Sequence, residues 1–310
     1  MSQYLTEFLP RAREENLNVL YAQVRIGGAV VEDFQSLPKK TRLNMMSVSK
    51  SVVSTGVGIA LDEGLLSLDE SVCNAFEKYL PASIPPQLEQ LQVRHLLTMT
   101  SGLASPLFFA DDPERYQVHD WISYFFQAEF AHMPGEQFLY SNFNTYILNA
   151  LVEMRAGQNM LEYLRNRLFK PLGIGNPDWT LCPMGHCYAA NGLFLTIDEL
   201  GNFGQMLLQG GRYQGRQLVP ADYMAAATRK QVETCARYPE GSQQSYGYGY
   251  QFWMTELSNT FICSGNYGQY CLALPEQDTV ICVMSLEGRN HKRIRDLLIE
   301  VVKEQSTSAS

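Results

Sequence analysis

Apolar residues recur in short runs near both ends of the chain and at helical spacing between them. Short apolar segments bounded by turn residues predict five strands, at 19–25, 29–33, 260–263, 270–274 and 279–285. The first two segments flank Gly27-Gly28, a pair that is typical of a β-hairpin. Helices and loops are predicted through about 67–173, and a C-terminal helix is predicted at 292–303.

This order of elements predicts an α+β fold, an antiparallel sheet flanked by helices in which the first and last strands share one sheet. The predicted units are a discontinuous sheet-containing α/β domain (1–66 and 174–305), a mostly helical insertion domain (67–173) and a disordered tail (306–310). With 310 residues, the chain can bury a large core as one domain or two.

One predicted helix, 47–63, has the composition of a buried element. Lys50 is its only charged residue before Asp62. Its small residues let neighbouring backbones approach closely: Ser51, Ser54, Thr55, Gly56, Gly58 and Ala60. Because a lysine is rarely buried without a reason, its presence on such a helix indicates a function.

Ser47 stands three residues before Lys50, so the two side chains share one helix face. A serine hydroxyl is a poor nucleophile until a base takes its proton. An amine whose pKa is lowered by burial can be that base. Such a pair alone is more often a solvated helix face, but the surroundings of Lys50 favour a serine nucleophile.

Two further segments carry candidate site residues. Tyr140 and Asn142 lie on a loop just before a predicted helix, where a packing tyrosine and an N-cap asparagine are the ordinary interpretation. Ser264 and Gly265 follow Cys263 between two predicted strands. A glycine in a strand often marks a close approach to the backbone, here by a substrate carbonyl, although a hairpin bend is the alternative.

Taken together, Ser47-x-x-Lys50, Tyr140-x-Asn142 and the 263–265 segment resemble the serine β-lactamase and penicillin-recognising superfamily, in the same order along the chain. The pattern is most similar to class C β-lactamase-like esterases and amide hydrolases. Stretches 62–69, 93–103 and 246–250 are also similar to that branch, so the resemblance covers roughly 20–300. It implies a β-lactamase/transpeptidase-like fold with a site between the sheet and the helical insertion.

The resemblance also implies roles. Ser47 forms an acyl-enzyme while Lys50 and Tyr140 share its proton as one unit. Asn142 and Ser264 position the lysine or the substrate. The oxyanion is stabilised by the backbone N–H of Ser47 and by one from Gly265 or Asn266.

The third segment departs from the family at Cys263, where lysine or histidine is usual. Without that cation we expect neutral short-chain esters or simple amides to be better substrates than carboxylate-bearing β-lactams. Two alternatives remain: a β-lactamase or D-amino-acid peptidase of the same fold, and a catalytically impaired homologue that only binds an acyl group or ligand.

Composition narrows the possible binding partners and the cellular location. A net charge of −8 argues against nucleic acid as a partner, and no run approaches the length of a membrane span. The expected partner is a small-molecule ester, amide or lactam. Seven cysteines without framework spacing, and a first segment unlike a signal peptide, predict a cytoplasmic location.

No cofactor or metal is expected. The stretch with Cys182, His186 and Cys187 matches no common zinc pattern. Neither a phosphate loop, a dinucleotide fingerprint nor a Gly-x-Ser-x-Gly elbow is present in the sequence. The oligomeric state and the physiological substrate are left open by these patterns.

Overall fold

A computed structural model describes residues 3–108 and 113–308. Its largest sheet has six antiparallel strands in the order β2-β1-β11-β10-β9-β8. These strands are β1 (Val19–Ile26), β2 (Ala29–Gln35), β8 (Trp253–Met254), β9 (Phe261–Gly265), β10 (Gln269–Leu274) and β11 (Thr279–Ser285). The first hairpin therefore pairs with the last strand, as predicted for an α+β fold with one shared antiparallel sheet.

Two small sheets complete the strands. They comprise β3 (Leu43–Asn44), β4 (Asp178–Trp179), β5 (Leu193–Leu195), β6 (Arg212–Tyr213) and β7 (Arg216–Gln217). Strand β3 pairs with β5, and this pairing fixes the chain that leads into the second helix.

Helices cover both faces of the main sheet. The longer ones are α1 (Tyr4–Glu14), α2 (Val48–Asp62), α7 (Asn142–Ala156), α9 (Ile197–Leu208) and α11 (His291–Ser308). The shorter ones are α3 (Val72–Ala75), α4 (Pro86–Glu89), α5 (Val93–Leu97), α6 (Trp121–Phe126), α8 (Met160–Leu164) and α10 (Ala221–Ala227). Single turns of other helical types lie at Glu77–Tyr79, Pro113–Tyr116, Arg165–Phe169, Asn266–Gly268 and Pro275–Gln277.

Two hydrophobic cores hold these layers together. One contains the buried faces of α1 and α11 and one face of the sheet. The other lies on the opposite face, beneath α9, and continues into the helices around α2 and α7. Helix α2 contacts α7, α10 and β9, and its residues 48–60 are all buried, as its small side chains predicted.

The C-terminal helix is longer than the pattern predicted. Helix α11 continues to Ser308, so residues 306–308, expected to belong to a disordered tail, are helical, while 309–310 lie outside the described residues. Hydrogen bonds from Ser306 Oγ to Val302 O and from Thr307 Oγ1 to Lys303 O support these last turns. The polar side chains there form contacts within the helix that hydrophobic periodicity does not detect. The boundaries of the proposed domains remain a prediction.

Candidate active site

Ser47 lies at the junction of β3 and α2, as the N-cap residue of α2. The residue before it, Met46, has a positive φ of 49°, a conformation that non-glycine residues rarely adopt. Asn44 Oδ1 supports this turn by accepting hydrogen bonds from the backbone N–H of Met46 at 2.9 Å and of Gly192 at 3.1 Å. The sharp turn leaves Ser47 half-buried at the rim of a cavity.

Lys50 lies one turn into α2 and is 1% exposed. Its Nζ lies 2.9 Å from Ser47 Oγ, 2.8 Å from Asn142 Oδ1 and 2.9 Å from the carbonyl oxygen of Ala190. Burial lowers the pKa of this amine to about 7, because the charged form loses its hydration. The positive end of the α2 dipole acts in the same direction.

Tyr140 flanks the same amine. Its ring stacks on Trp253 at a centroid distance of 5.5 Å, and Lys50 Nζ lies 5.0 Å from the Tyr140 ring centroid. Burial raises the pKa of the Tyr140 hydroxyl above its usual value, and a hydrogen bond with Ser47 offsets part of that rise. Tyr140 is therefore a neutral phenol near neutral pH.

Asn142 accepts a hydrogen bond from the lysine, and it is not the helix cap. Ser141 is the N-cap of α7, with its Oγ accepting a hydrogen bond from Phe143 N at 3.2 Å. The Asn142 side chain can therefore use both ends of its amide elsewhere. Its Oδ1 accepts from Lys50, and its Nδ2 donates to the Phe108 carbonyl at 2.9 Å.

Gly265 ends β9 against the turn that precedes Ser47. A Cβ at this position would lie 2.6 Å from the Met45 carbonyl oxygen and 3.1 Å from the Met46 Cβ. The close approach at this glycine is thus made by the backbone before Ser47 rather than by a substrate carbonyl, and this contact brings the end of β9 beside Ser47.

The register of the third segment follows from the strand pairing. Ser264 pairs with Tyr270, and Cys263 pairs with Cys271. Cys263 is 1% exposed and belongs to the core that also contains Cys271 and Cys282. The Cys263 side chain is therefore a thiol buried among thiols. Neighbouring thiols and burial hold the pKa of Cys271 well above its usual value.

The predicted site residues meet at one cavity of about 660 Å³. Ser47, Tyr140, Asn142, Ser264 and Asn266 line it. The nitrogen of Lys50 lies directly beneath, in contact with Ser47. Three segments that are far apart along the chain are brought together, as their order in the sequence predicted.

Two contributors had weak or no sequence signals. The Ala190 carbonyl contacts Lys50, and a main-chain oxygen carries no side-chain signature. Asn44 supports the Ser47 turn, and an asparagine three residues before the serine could have indicated such a turn, because asparagine side chains often bond to backbone two residues on.

Cys182 and His186 take part in local packing contacts. Cys182 Sγ lies 3.2 Å from the Tyr146 hydroxyl, and His186 Nδ1 lies 2.6 Å from Glu153 Oε2. Among residues 3–108 and 113–308, no group of three or more His, Cys, Asp or Glu side chains is arranged to hold a metal ion. Within the same ranges, no helix has both the length and the apolar character needed to cross a bilayer.

Comparison with known proteins agrees with the family resemblance found in the sequence. Residues 14–301 match the model of a family described as Beta-lactamase. The 6-aminohexanoate-dimer hydrolase of Paenarthrobacter ureafaciens is 26% identical over 264 residues, which cover 78% of this chain and 65% of that protein. The chain spans less than two thirds of the length of the curated relatives it matches here.

Solved structures share the fold. A penicillin-binding protein homologue from Caulobacter crescentus superposes with a TM-score of 0.75 at 19% identity, covering 97% of this chain and 96% of that one. EstCE1, described as a hydrolase with promiscuous acyltransferase activity, superposes with a TM-score of 0.79 at 17% identity, covering 97% of both chains. At these identities the likeness shows the β-lactamase/transpeptidase-like fold.

Proposed function

We propose, from the premise that this chain belongs to the beta-lactamase family, that it is a serine hydrolase. It forms an acyl-enzyme on Ser47 and cleaves an ester or amide of a small substrate. The observation that carries the proposal is the 2.9 Å contact between Ser47 Oγ and a buried amine whose pKa is about 7. A base poised near the working pH is what nucleophilic attack by a hydroxyl requires.

The contacts of Lys50 support a role as the base. A neutral amine has two N–H donors and one lone pair. Asn142 Oδ1 and the Ala190 carbonyl are acceptors only, so they occupy both donors. The lone pair is then left for Ser47, whose hydroxyl donates to it. Lys50 takes the proton as Ser47 Oγ attacks the substrate carbonyl.

Tyr140 supplies the proton to the leaving group. Its raised pKa keeps the phenol protonated, and its hydrogen bond with Ser47 places it beside the reacting atoms. Lys50 returns the serine proton to Tyr140, so both groups are neutral again after acylation. Deacylation follows the same steps in reverse, with a water molecule in the place of the leaving group. The water gives its proton to the Lys50–Tyr140 pair and releases the acyl group from Ser47.

The oxyanion is stabilised by main-chain donors. The N–H of Ser47, at the N-terminus of α2, has no hydrogen-bond partner among the residues that the structure describes. The backbone of Gly265 or Asn266 supplies the second donor from the end of β9, which the Gly265 contact holds against this turn.

Names of the relatives agree with a small acyl substrate. One is a 6-aminohexanoate-dimer hydrolase, and another is a hydrolase with acyltransferase activity. We place the activity in a reducing, cytoplasmic compartment, because all seven cysteines are unpaired, Cys235 exposed and the others buried.

Pre-steady-state kinetics test the proposal. A 4-nitrophenyl ester should give a burst of one nitrophenolate per enzyme when deacylation is slow, and Ser47→Ala should abolish burst and turnover. Parallel assays with a chromogenic cephalosporin and a D-alanyl dipeptide distinguish the lactamase and peptidase alternatives. Absence of turnover and of any burst on all three substrates, together with absence of fluorophosphonate labelling at Ser47, would favour the binding homologue.

A further inference from the structure

Basic side chains, and no acidic ones, line the active-site cavity among the residues that the structure describes. Arg237 and Lys292 lie at its wall, and Arg115 lines it as well. None of the described lining side chains is an aspartate or glutamate. Neither Arg237 nor Lys292 forms an ion pair with any carboxylate among residues 3–108 and 113–308.

This cluster of cations stands out in an acidic protein. The chain carries a net charge of −8, and many of its basic residues are held by carboxylates, as Arg42 is by Glu199 and Arg293 by Glu15 and Glu300. At the cavity, by contrast, Arg237 and Lys292 have no carboxylate partner in the described part of the chain and face one shared space, where they attract anions from solution.

Lys292 reaches the cavity from beside the third segment. It is the second residue of α11, and α11 packs against the Asn266–Gly268 turn. The Tyr270 hydroxyl donates to the His291 carbonyl at 2.8 Å, which fixes the start of α11 to β10. Helix α11 thus carries Lys292 to the cavity that Asn266 also lines.

Arg237 reaches the cavity from a different segment, one that packs against β8. Its neighbour Tyr238 packs edge-on against Trp253 at 5.7 Å and against Phe138 at 6.2 Å. Trp253 belongs to β8, which pairs with β9. The two cations line the same cavity as Ser264 and Asn266, the residues that follow Cys263 and Gly265 in the third segment.

We propose that Arg237 and Lys292 form an anion subsite, so that the substrate of this hydrolase is an ester or amide that carries a carboxylate. The inference rests on the proposed function, because it assigns the substrate class of the Ser47 site. A guanidinium offers a planar fork that matches a carboxylate, and an ammonium adds a point charge. This subsite replaces the expectation, drawn from Cys263, that neutral esters are preferred.

Matched esters test the subsite. The carboxylate can lie on the acyl side, as in 4-nitrophenyl hydrogen glutarate, or on the leaving side, as in 3-carboxy-4-nitrophenyl pentanoate. The neutral reference is 4-nitrophenyl pentanoate. We expect kcat/KM at least tenfold higher for one of the charged esters than for the neutral one, after correction for intrinsic hydrolysis rates. That preference should shrink as salt is raised, because both cations are exposed.

Variants of the two basic residues test whether they cause the preference for a charged ester. Arg237→Gln and Lys292→Met should each lower kcat/KM on the preferred charged ester by roughly tenfold, the scale of one charge-assisted contact at an exposed site. Their effect on the neutral ester should stay within about threefold. Arg216→Gln, an exposed arginine on β7 away from the cavity, is the control and should change neither.

Different results would contradict the anion subsite and the underlying Ser47 hydrolase function. Equal kcat/KM on charged and neutral esters, or equal losses on both in the variants, would overturn the anion subsite while leaving the Ser47 hydrolase intact. If the enzyme is slow on all three esters, a protection assay tests the anion subsite instead. Glutarate should protect Ser47 from a fluorophosphonate, and pentanol should not; equal protection by both would overturn the subsite. Absence of fluorophosphonate labelling would overturn the proposed function and the subsite with it.

Discussion

At the scale of single residues, burial sets the chemistry of the site. The same loss of hydration lowers the pKa of Lys50 and raises that of Tyr140, so both groups are neutral together. The sequence pattern predicted that the two act as one unit, but it did not predict their charge state. That state depends on how completely the surrounding helices exclude water, which no local motif encodes.

The first prediction concerns pH. The reactive form has an unprotonated Lys50, so kcat/KM on a neutral ester should fall as pH drops below about 7 and reach a plateau above it. Steady-state rates between about pH 5 and 9 measure this limb. Tyr140→Phe should lower the plateau and keep the midpoint within about one unit. A limb centred near 10, the ordinary range of a lysine, would contradict a buried neutral base.

A second prediction concerns cooperation between the two proton carriers. Lys50→Met and Tyr140→Phe should each lower the acylation rate by about 10²–10⁴-fold, as expected when a general base or acid is lost. The double variant should be little worse than the worse single variant, because the residues act on one proton path. Single-turnover nitrophenolate release measures all four enzymes. Full additivity would mean that the two side chains work separately.

At the scale of elements, the strands and helices that carry the site follow from the periodicity of the sequence. The helix that begins after Ser47, the loop before α7 and a strand at β9 were all predicted, although the predicted strand ended at Cys263 and the observed one continues to Gly265. Their mutual placement was not, because it depends on contacts between distant segments. The Met45 carbonyl against Gly265 and the Ala190 carbonyl against Lys50 are such contacts.

The contact between β9 and the Ser47 turn leads to a third prediction. Gly265→Ala places a methyl group 2.6 Å from the Met45 carbonyl oxygen, and backbone cannot move aside cheaply. The end of β9 should shift, and kcat/KM should fall by at least tenfold while circular dichroism stays unchanged. Gly175→Ala is the matched control, since a Cβ at that position would meet no atom within 4 Å. Equal activity of the two variants would show that this contact does not align the site.

At the scale of the whole molecule, the active site costs stability. Lys50 is buried without an acidic partner among the described residues, and the folded state holds its pKa at about 7, against 10.5 for an ordinary lysine. Between those two values the unfolded chain binds the proton and the folded chain does not. The free energy of unfolding therefore increases with pH across this window. Below pH 7 both states bind the proton, so the folded protein bears the full cost of burying the charged amine.

Denaturant titrations test this linkage as a fourth prediction. The stability of the natural protein minus that of Lys50→Met should rise between about pH 7 and 10, by up to about 1.4 kcal/mol per pH unit. Taking the difference removes the titrations that both proteins share. Lys170→Met, an exposed lysine on the surface, is the control and should give a flat difference. A flat difference for Lys50→Met as well would mean that Lys50 keeps its ordinary pKa in the folded protein.

Covalent trapping of Ser47 tests the central claim most directly. A fluorophosphonate should add one phosphonyl group per chain, and peptide mapping should place it on Ser47. Ser47→Ala should take up none, whereas Ser51→Ala, which removes a buried serine of the same helix whose hydroxyl bonds to the Gln251 carbonyl, should label as the natural protein does. Undiminished labelling of a folded Ser47→Ala variant would contradict the assignment of Ser47 as the nucleophile.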